Sequence, residues 1–561
     1  TGRVAQQQCV GVLQLPLSNC GVMALDFNGK KGVATALGHA PVSGLIDPEK
    51  GSINAIGEAL TNLVWAPLEK GLASVSLSAN WMWPCNNPGE DARLYAAVSG
   101  CSKFAIALGI NIPTGKDSLS MKQKYSDGDV LAPGTVIISS IGSCSDINKI
   151  VTPVATEQGG DFYYIDFSKD AFHLGGSSFA QSIAAVGNQT PGITDPAYFK
   201  KIFNALQLLI HSDSITAGHD IGSGGLITTL LEMCFPSVGI GMNLDLSVLE
   251  EPDTIRCLFS EKIAVVVQSR ENLESILSKE GVHAVRIGQV SKSDHLNING
   301  LVLSVSEMRR LWMQTSTALE IEQTLPELAQ TRAENIINQP LRFKFPKGFS
   351  GALPVLKSKK IKAAVLREKG SNSEREMAYV MDLCGFEVRD VHMTDLVEGR
   401  ETLEDIQLLV AVGGFSNSDV LGSAKGWAGS IKYNPKAQKA VTAFFKRNDT
   451  LSLGVCNGCQ LFVELGLLTP EKSEKPKMLH NDSGKFECIF SAVTIQESTA
   501  IMMQGLEGST LGIWSAHGEG KFSFPEPASA YQIPATFQYS QYPGNPNGSD
   551  YNAAMLSSED G

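Results

Sequence analysis

The pattern that most restricts the fold begins at residue 361. Residues 361–366 read as an apolar strand, 373–384 as a helix, and 386–390 and 406–412 as two more strands. Apolar strands alternating with helices predict a parallel sheet covered on both faces. A further apolar run ends in Leu451-Ser-Leu-Gly-Val-Cys-Asn-Gly-Cys-Gln-Leu-Phe, where the chain passes through Cys456 straight into a helix. A nucleophile on such a turn is held exposed at the carboxyl end of the sheet. The helix N-terminus is expected to lower the thiol pKa. Gly454 and Gly458 permit a tight turn and close approach of substrate, and nearby N–H groups can hold an oxyanion. The upstream loop Ala411-Val-Gly-Gly-Phe-Ser-Asn-Ser-Asp419 is where the rest of that pocket would form. Cys456 and Cys459 also form a Cys-x-x-Cys pair, so a redox couple, half of a zinc site and a buried structural cysteine are competing readings. A zinc site needs a second pair, and none lies at suitable spacing.

The first 315 residues read differently. Residues 1–150 mix short strands (75–77, 136–141) with helices (53–65, 92–108), and residues 78–84 read as a loop. Residues 151–315 restart with a strand at 161–167, helices near 198–209 and 226–235, and a strand at 263–267. Residues 320–360 lose periodicity, and residues 338–360 carry three prolines and several lysines, as a solvated linker would. Glu58 and Asn62 are four apart on one helix face. Oxygen ligands of the Glu, Asn and Asp type suit Mg²⁺. Asp220 precedes the glycine cluster Gly222-Ser-Gly-Gly225, which opens a helix and could cradle a phosphate. The blander reading is a polar helix face beside an ordinary loop. Lys116, Asp117 and Ser118 are expected in a loop that lacks the glycine spacing of a P-loop.

Residues 361–561 resemble a class I, triad-type glutaminase of the phosphoribosylformylglycinamidine synthase family. The motifs are Arg367-Glu-Lys-Gly-Ser-Asn372, Asp390-Val-His-Met-Thr-Asp-Leu396, Gly413-Gly-Phe-Ser416, Gly454-Val-Cys-Asn-Gly-Cys-Gln460, His517-Gly-Glu-Gly520 and Asn545-Pro-Asn-Gly-Ser549. Residues 1–315 resemble the second aminoimidazole-ribonucleotide-synthetase-like half of that family, through Ala36-Leu-Gly-His-Ala-Pro41, Glu58-Ala-Leu-Thr-Asn62, Pro113-Thr-Gly-Lys-Asp-Ser-Leu-Ser-Met121 and His219-Asp-Ile-Gly-Ser-Gly-Gly225. The implied fold class is a multidomain α/β and α+β chain. Two α/β domains (1–150 and 151–315) and a linker (316–360) precede a glutaminase with a flavodoxin-like parallel sheet (361–561).

The resemblance implies that Cys456 attacks the glutamine carboxamide. It implies that Asn19, Glu58, Asn62 and Asp220 hold Mg²⁺ around ATP or ADP, flanked by Ser18 and Gly222. The family carries Asp at the position of Asn19 and Ser-Asp at Gly222-Ser223. The implied substrates are glutamine, formylglycinamide ribonucleotide and ATP, in de novo purine synthesis. The family's catalytic His and Glu belong to a His-Pro-Glu segment that would follow Gly561, and another synthetase-like part would precede Thr1. The chain is therefore expected to be a piece truncated at both ends, with little glutaminase turnover alone. His517 matches a substrate-side position and not the triad base.

The formal net charge of −12 disfavours nucleic-acid backbones. Eleven cysteines without framework spacing read as reduced thiols of a cytoplasmic protein, and no apolar run is long enough for a membrane span. The rival readings are another glutamine amidotransferase or cysteine hydrolase, and a nucleotide-binding scaffold with a silent glutaminase.

Overall fold

The computed structural model describes residues 2–27, 29–352 and 361–561. The chain divides into two compact units, Thr1–Met313 and Gln314–Gly561.

The first unit is built on two large sheets, beside two short two-stranded ones. One runs, in spatial order, Val4–Gln6, Gly21–Ala24, Gly32–His39, Thr135–Cys144, Val75–Met82, Asn111–Ser118. All its pairings are antiparallel except the last, which the helix Glu90–Leu108 connects as a crossover. Along Gly32–His39 the inward residues are small, and the helix Pro48–Leu63 lies directly on them. A Cβ on Gly38 would come 2.2 Å from the Ala55 carbonyl oxygen, so the approach needs glycine. That helix starts where the Asp47 carboxylate accepts the N–H groups of Glu49 and Lys50, both at 3.0 Å. The second sheet has seven strands in the order Ala217–Asp220, Ala264–Ser269, Asp161–Asp166, Val285–Ser291, Gly241–Leu244, His295–Ile298, Leu301–Ser304. Phe199 and Phe203, on the helix Pro196–His211, fill a core shared by both sheets.

Two expectations change here. Residues 78–82 are not loop but the end of a strand, because Thr135–Ser139 on one side and Thr114–Ser118 on the other supply hydrogen-bond partners. By the same pairing Lys116, Asp117 and Ser118 lie in a strand rather than a loop.

The second unit is built on four parallel strands in the order Glu387–His392, Lys362–Arg367, Leu408–Ala411, Leu451–Gly454. In chain order that is second, first, third, fourth, the flavodoxin-like arrangement. Ala364, Leu366, Leu409 and Ala411 face helices on one side, with Trp427 and Phe444. Ala363, Val365 and Val410 face Met381 on the other. Strands apolar on both faces are what a doubly covered parallel sheet requires. A three-stranded antiparallel sheet, Thr510–His517, Glu487–Ile495, Ala535–Phe537, follows.

Much of the stretch expected as linker is folded. Residues 326–335 form the helix Pro326–Asn335. Asn335 Nδ2 donates to the Tyr542 carbonyl at 2.8 Å, and Lys344 bridges Thr510. Burial of Asn335 between partners distant in sequence outweighs the weak local periodicity. Residues 353–360 lie outside the described residues. Among the described residues no helix is long and apolar enough to cross a membrane.

Candidate functional site

The elbow in the second unit is set by glycine. A Cβ on Gly454 would meet the Gly458 carbonyl oxygen at 2.6 Å, and one on Gly458 would meet that of Ala411 at 2.1 Å. Strand and helix therefore close tightly around Cys456, which is held at φ 55°, ψ −114°. A non-glycine residue at positive φ is strained and persists only where its surroundings enforce it. The helix Asn457–Leu465 leads away from the sulfur. The backbone N–H groups of Gly414 and Asn457 lie by the sulfur and favour its charged form. Across the thiol lie the Ala516 carbonyl oxygen at 3.8 Å and His517 Nδ1 at 3.9 Å, carried by the strand Thr510–His517.

The thiol is not poised as a free thiolate. Burial pushes its pKa up, the N–H groups of Gly414 and Asn457 pull it down, and burial wins. The expectation that the helix terminus alone would enrich the thiolate is thereby corrected: the terminus acts, but desolvation is larger. Burial also lowers the His517 pKa, which keeps that imidazole neutral near neutral pH. Cys459 is a different environment. Its Sγ rests 3.8 Å from Met478 Sδ, and burial pushes its pKa up to about 12.

Two carboxylates lie beside the elbow. Asp419 accepts the Ser423 hydroxyl at 3.3 Å and faces Asn457 Nδ2 at 3.5 Å. Glu519 accepts the Ser423 N–H at 3.3 and 3.4 Å. Burial raises the Asp419 pKa, the Glu519 charge adds to this, and Asp419 in turn acts on Cys456. Among the described residues no ion pair reaches either carboxylate. The Ser416 hydroxyl nearby is buried and has no partner among them. Both acids stand in motifs visible in the sequence, but their convergence is not, since they lie 100 residues apart.

In the first unit a cleft of about 290 Å³ is lined by His39, Glu58, Gly176, Ser178, Gly222 and Glu261, among others. The expected ligand-holding residues only partly converge on it. Glu58 and Gly222 line it. Ser18 does not, and its hydroxyl donates to the Cys20 carbonyl at 3.0 Å. Asp220 is buried and already bonded: Asn19 Nδ2 donates to its two oxygens at 3.1 and 3.2 Å, and His219 Nδ1 is 3.2 Å away. His219 Nε2 meets Glu232 at 3.0 Å. Burial opposes protonation of His219, but the two carboxylates outweigh it and push its pKa up to about 10. Glu58 accepts the His39 backbone N–H at 2.6 Å, lies 3.5 Å from His39 Nδ1 and holds that imidazole up to about 9. Asn62 Nδ2 donates to the Leu37 carbonyl, leaving its Oδ1 buried and open. That open acceptor and the second Glu58 oxygen suit a cation, but the Asp220 carboxylate is already engaged by Asn19 and His219. No group of three or more His, Cys, Asp or Glu side chains able to hold a metal occurs among the described residues.

Sequence reasoning missed Glu261, whose Oε1 accepts the N–H groups of Ser178 at 2.7 Å and Gly224 at 2.8 Å. Nothing in the sequence signals that contact.

Family models match the chain in three consecutive blocks. A FGAR-AT PurM_N-like domain covers residues 1–143. The C-terminal domain of AIR synthase related proteins covers 168–300. A CobB/CobQ-like glutamine amidotransferase domain covers 360–561. The probable chloroplastic/mitochondrial phosphoribosylformylglycinamidine synthase of Arabidopsis thaliana is 40% identical over the whole of this chain and 42% of its own length. The Homo sapiens phosphoribosylformylglycinamidine synthase is 38% identical over the whole chain and 45% of its own. Along its whole length the chain is similar to phosphoribosylformylglycinamidine synthases. It spans less than half the length of these synthases. A solved structure described as T. maritima PurL complexed with FGAR matches 52% of this chain and 48% of its own, at 14% identity and a TM-score of 0.42.

Proposed function

We propose that this chain supplies the glutaminase, and one synthetase-like half, of an enzyme that amidates formylglycinamide ribonucleotide. The observation that carries this is Cys456, strained on its elbow with two N–H groups turned to its sulfur. The Cys456 thiolate adds to the carboxamide carbon of glutamine. The same N–H pair is placed to stabilise the resulting oxyanion. Collapse expels the protonated amide nitrogen as ammonia and leaves a γ-glutamyl thioester, which water cleaves to glutamate and free thiol. Because burial keeps the proton on Cys456, attack needs a base. By resemblance that base is the histidine of a His-Pro-Glu segment, and His517 serves as a neutral substrate-side neighbour. Asp419 and Glu519 face the α-ammonium of glutamine, the one cation the reaction brings to them. ATP phosphorylates the amide oxygen of formylglycinamide ribonucleotide, and ammonia displaces phosphate to give the amidine.

Nucleotide binding by the first unit is part of the same proposal, with Gly222 on the cleft and Ser18 on an adjacent loop. Magnesium at Asn19, Glu58, Asn62 and Asp220 is left out, because most of those side chains are already bonded within the protein. The test is amidation by the full-length enzyme that carries this chain, measured with glutamine and with ammonium salt. Cys456→Ala abolishes the first and spares the second. Equal loss of both would overturn the assignment. The raised Cys456 pKa favours one other reading, a scaffold with a silent glutaminase. In that case Cys456→Ala changes neither rate.

A further inference from the structure

We propose that Asn19 takes the place of a metal ion in the first unit, locking Asp220 with a side-chain amide so that the site holds its shape without a divalent cation. The inference concerns the metal alone and does not depend on nucleotide binding in the cleft. Asp220 is 3% exposed, and a carboxylate that deep must be compensated. A divalent cation is one means. Here Asn19 Nδ2 reaches across 201 residues of sequence to donate to both carboxylate oxygens, and His219, itself tied to Glu232, takes Oδ1 from the other side.

In the absence of a cation the Asn19 amide turns its nitrogen, not its oxygen, to Asp220. Turned over, it would set its oxygen 3.1–3.2 Å from two carboxylate oxygens, an arrangement stable only with a cation between them. The remaining ligand positions agree. One Glu58 oxygen accepts the His39 backbone N–H. A side chain at position 222 would have its Cβ 3.6 Å from Asp220 Oδ2, and glycine there contributes no oxygen. Asn62 Oδ1 and the second Glu58 oxygen stay open, but with Asp220 engaged by Asn19 and His219 the set keeps a single free carboxylate to hold Mg²⁺ against its hydration shell.

Aspartate at position 19 would place two carboxylates in contact and create a demand for the cation. Asn19→Asp is therefore expected to convert an amide-locked site into a metal site. The probe is Mn²⁺ alone, followed by the electron paramagnetic resonance signal of the free ion, with thermal melting in Mn²⁺ and in EDTA alongside. The wild-type chain is expected to leave the free-ion signal undiminished and to melt at one temperature in both conditions. Asn19→Asp is expected to take up Mn²⁺ and to melt higher with it than in EDTA. Mn²⁺ uptake by the wild type that disappears in Asp220→Asn or Glu58→Gln would overturn the proposal, and this comparison stands even if Asn19→Asp does not fold. A folded Asn19→Asp chain that takes up no Mn²⁺ would count against it equally.

Discussion

At Cys456 two effects act on one sulfur in opposite directions. The elbow and its glycines are contiguous in sequence, so the nucleophile and its turn are legible there. Its pKa is not, because the burial that raises it involves Ala516 and His517, about sixty residues away. The sign fixes a pH dependence. Only the thiolate reacts with an alkylating agent, and its folded pKa lies above the ordinary thiol value. The iodoacetamide rate at Cys456 is therefore expected to keep climbing through the mildly alkaline range, measured by quenching at intervals and mapping peptides. A plateau near neutral pH would contradict the balance described. The carboxylate pair gives a second expectation. On the proposed reading Glu519→Gln removes one charge facing the glutamine ammonium, at a cost of about 1.5 kcal/mol or more for a charge-assisted hydrogen bond. Glutamine affinity should fall about tenfold in titration calorimetry. Unchanged affinity would remove Glu519 from the substrate's surroundings.

Among the elements, the parallel strands from residue 361 were legible because both faces of each are apolar and the helices between them are local. The strand Asn111–Ser118 was not. Its residues are largely exposed and polar, and it exists because Val75–Met82 offers an edge in register. The helix Pro48–Leu63 was legible as a helix, but the closeness of its seat on the sheet was not. Gly38→Ala tests that seat. Its Cβ would meet backbone atoms of Ala55 and Ala59 at 2.2 and 2.3 Å, which no rotamer change can relieve. The variant should lose about 1–3 kcal/mol, as overpacked cores do, and its first unit should melt several degrees lower. An unchanged melt would mean that the helix can slide.

Across the whole molecule, charge and hydropathy set only the class, and the division into a synthetase-like unit and a glutaminase rested on motif resemblance. The folded stretch around Asn335 was invisible because its partners lie about 200 residues on. The amide lock between Asn19 and Asp220 was invisible for the same reason. Central to the account is that the second unit binds glutamine at Cys456 and uses that thiol alone. Limited alkylation of the folded chain, with and without glutamine, followed by peptide mapping, measures this directly. The account predicts Cys456 modified well ahead of Cys459, whose pKa of about 12 and contact with Met478 keep it inert, and a slower reaction at Cys456 when glutamine is present. Modification of Cys459 first, or a Cys456 rate indifferent to glutamine, would contradict it.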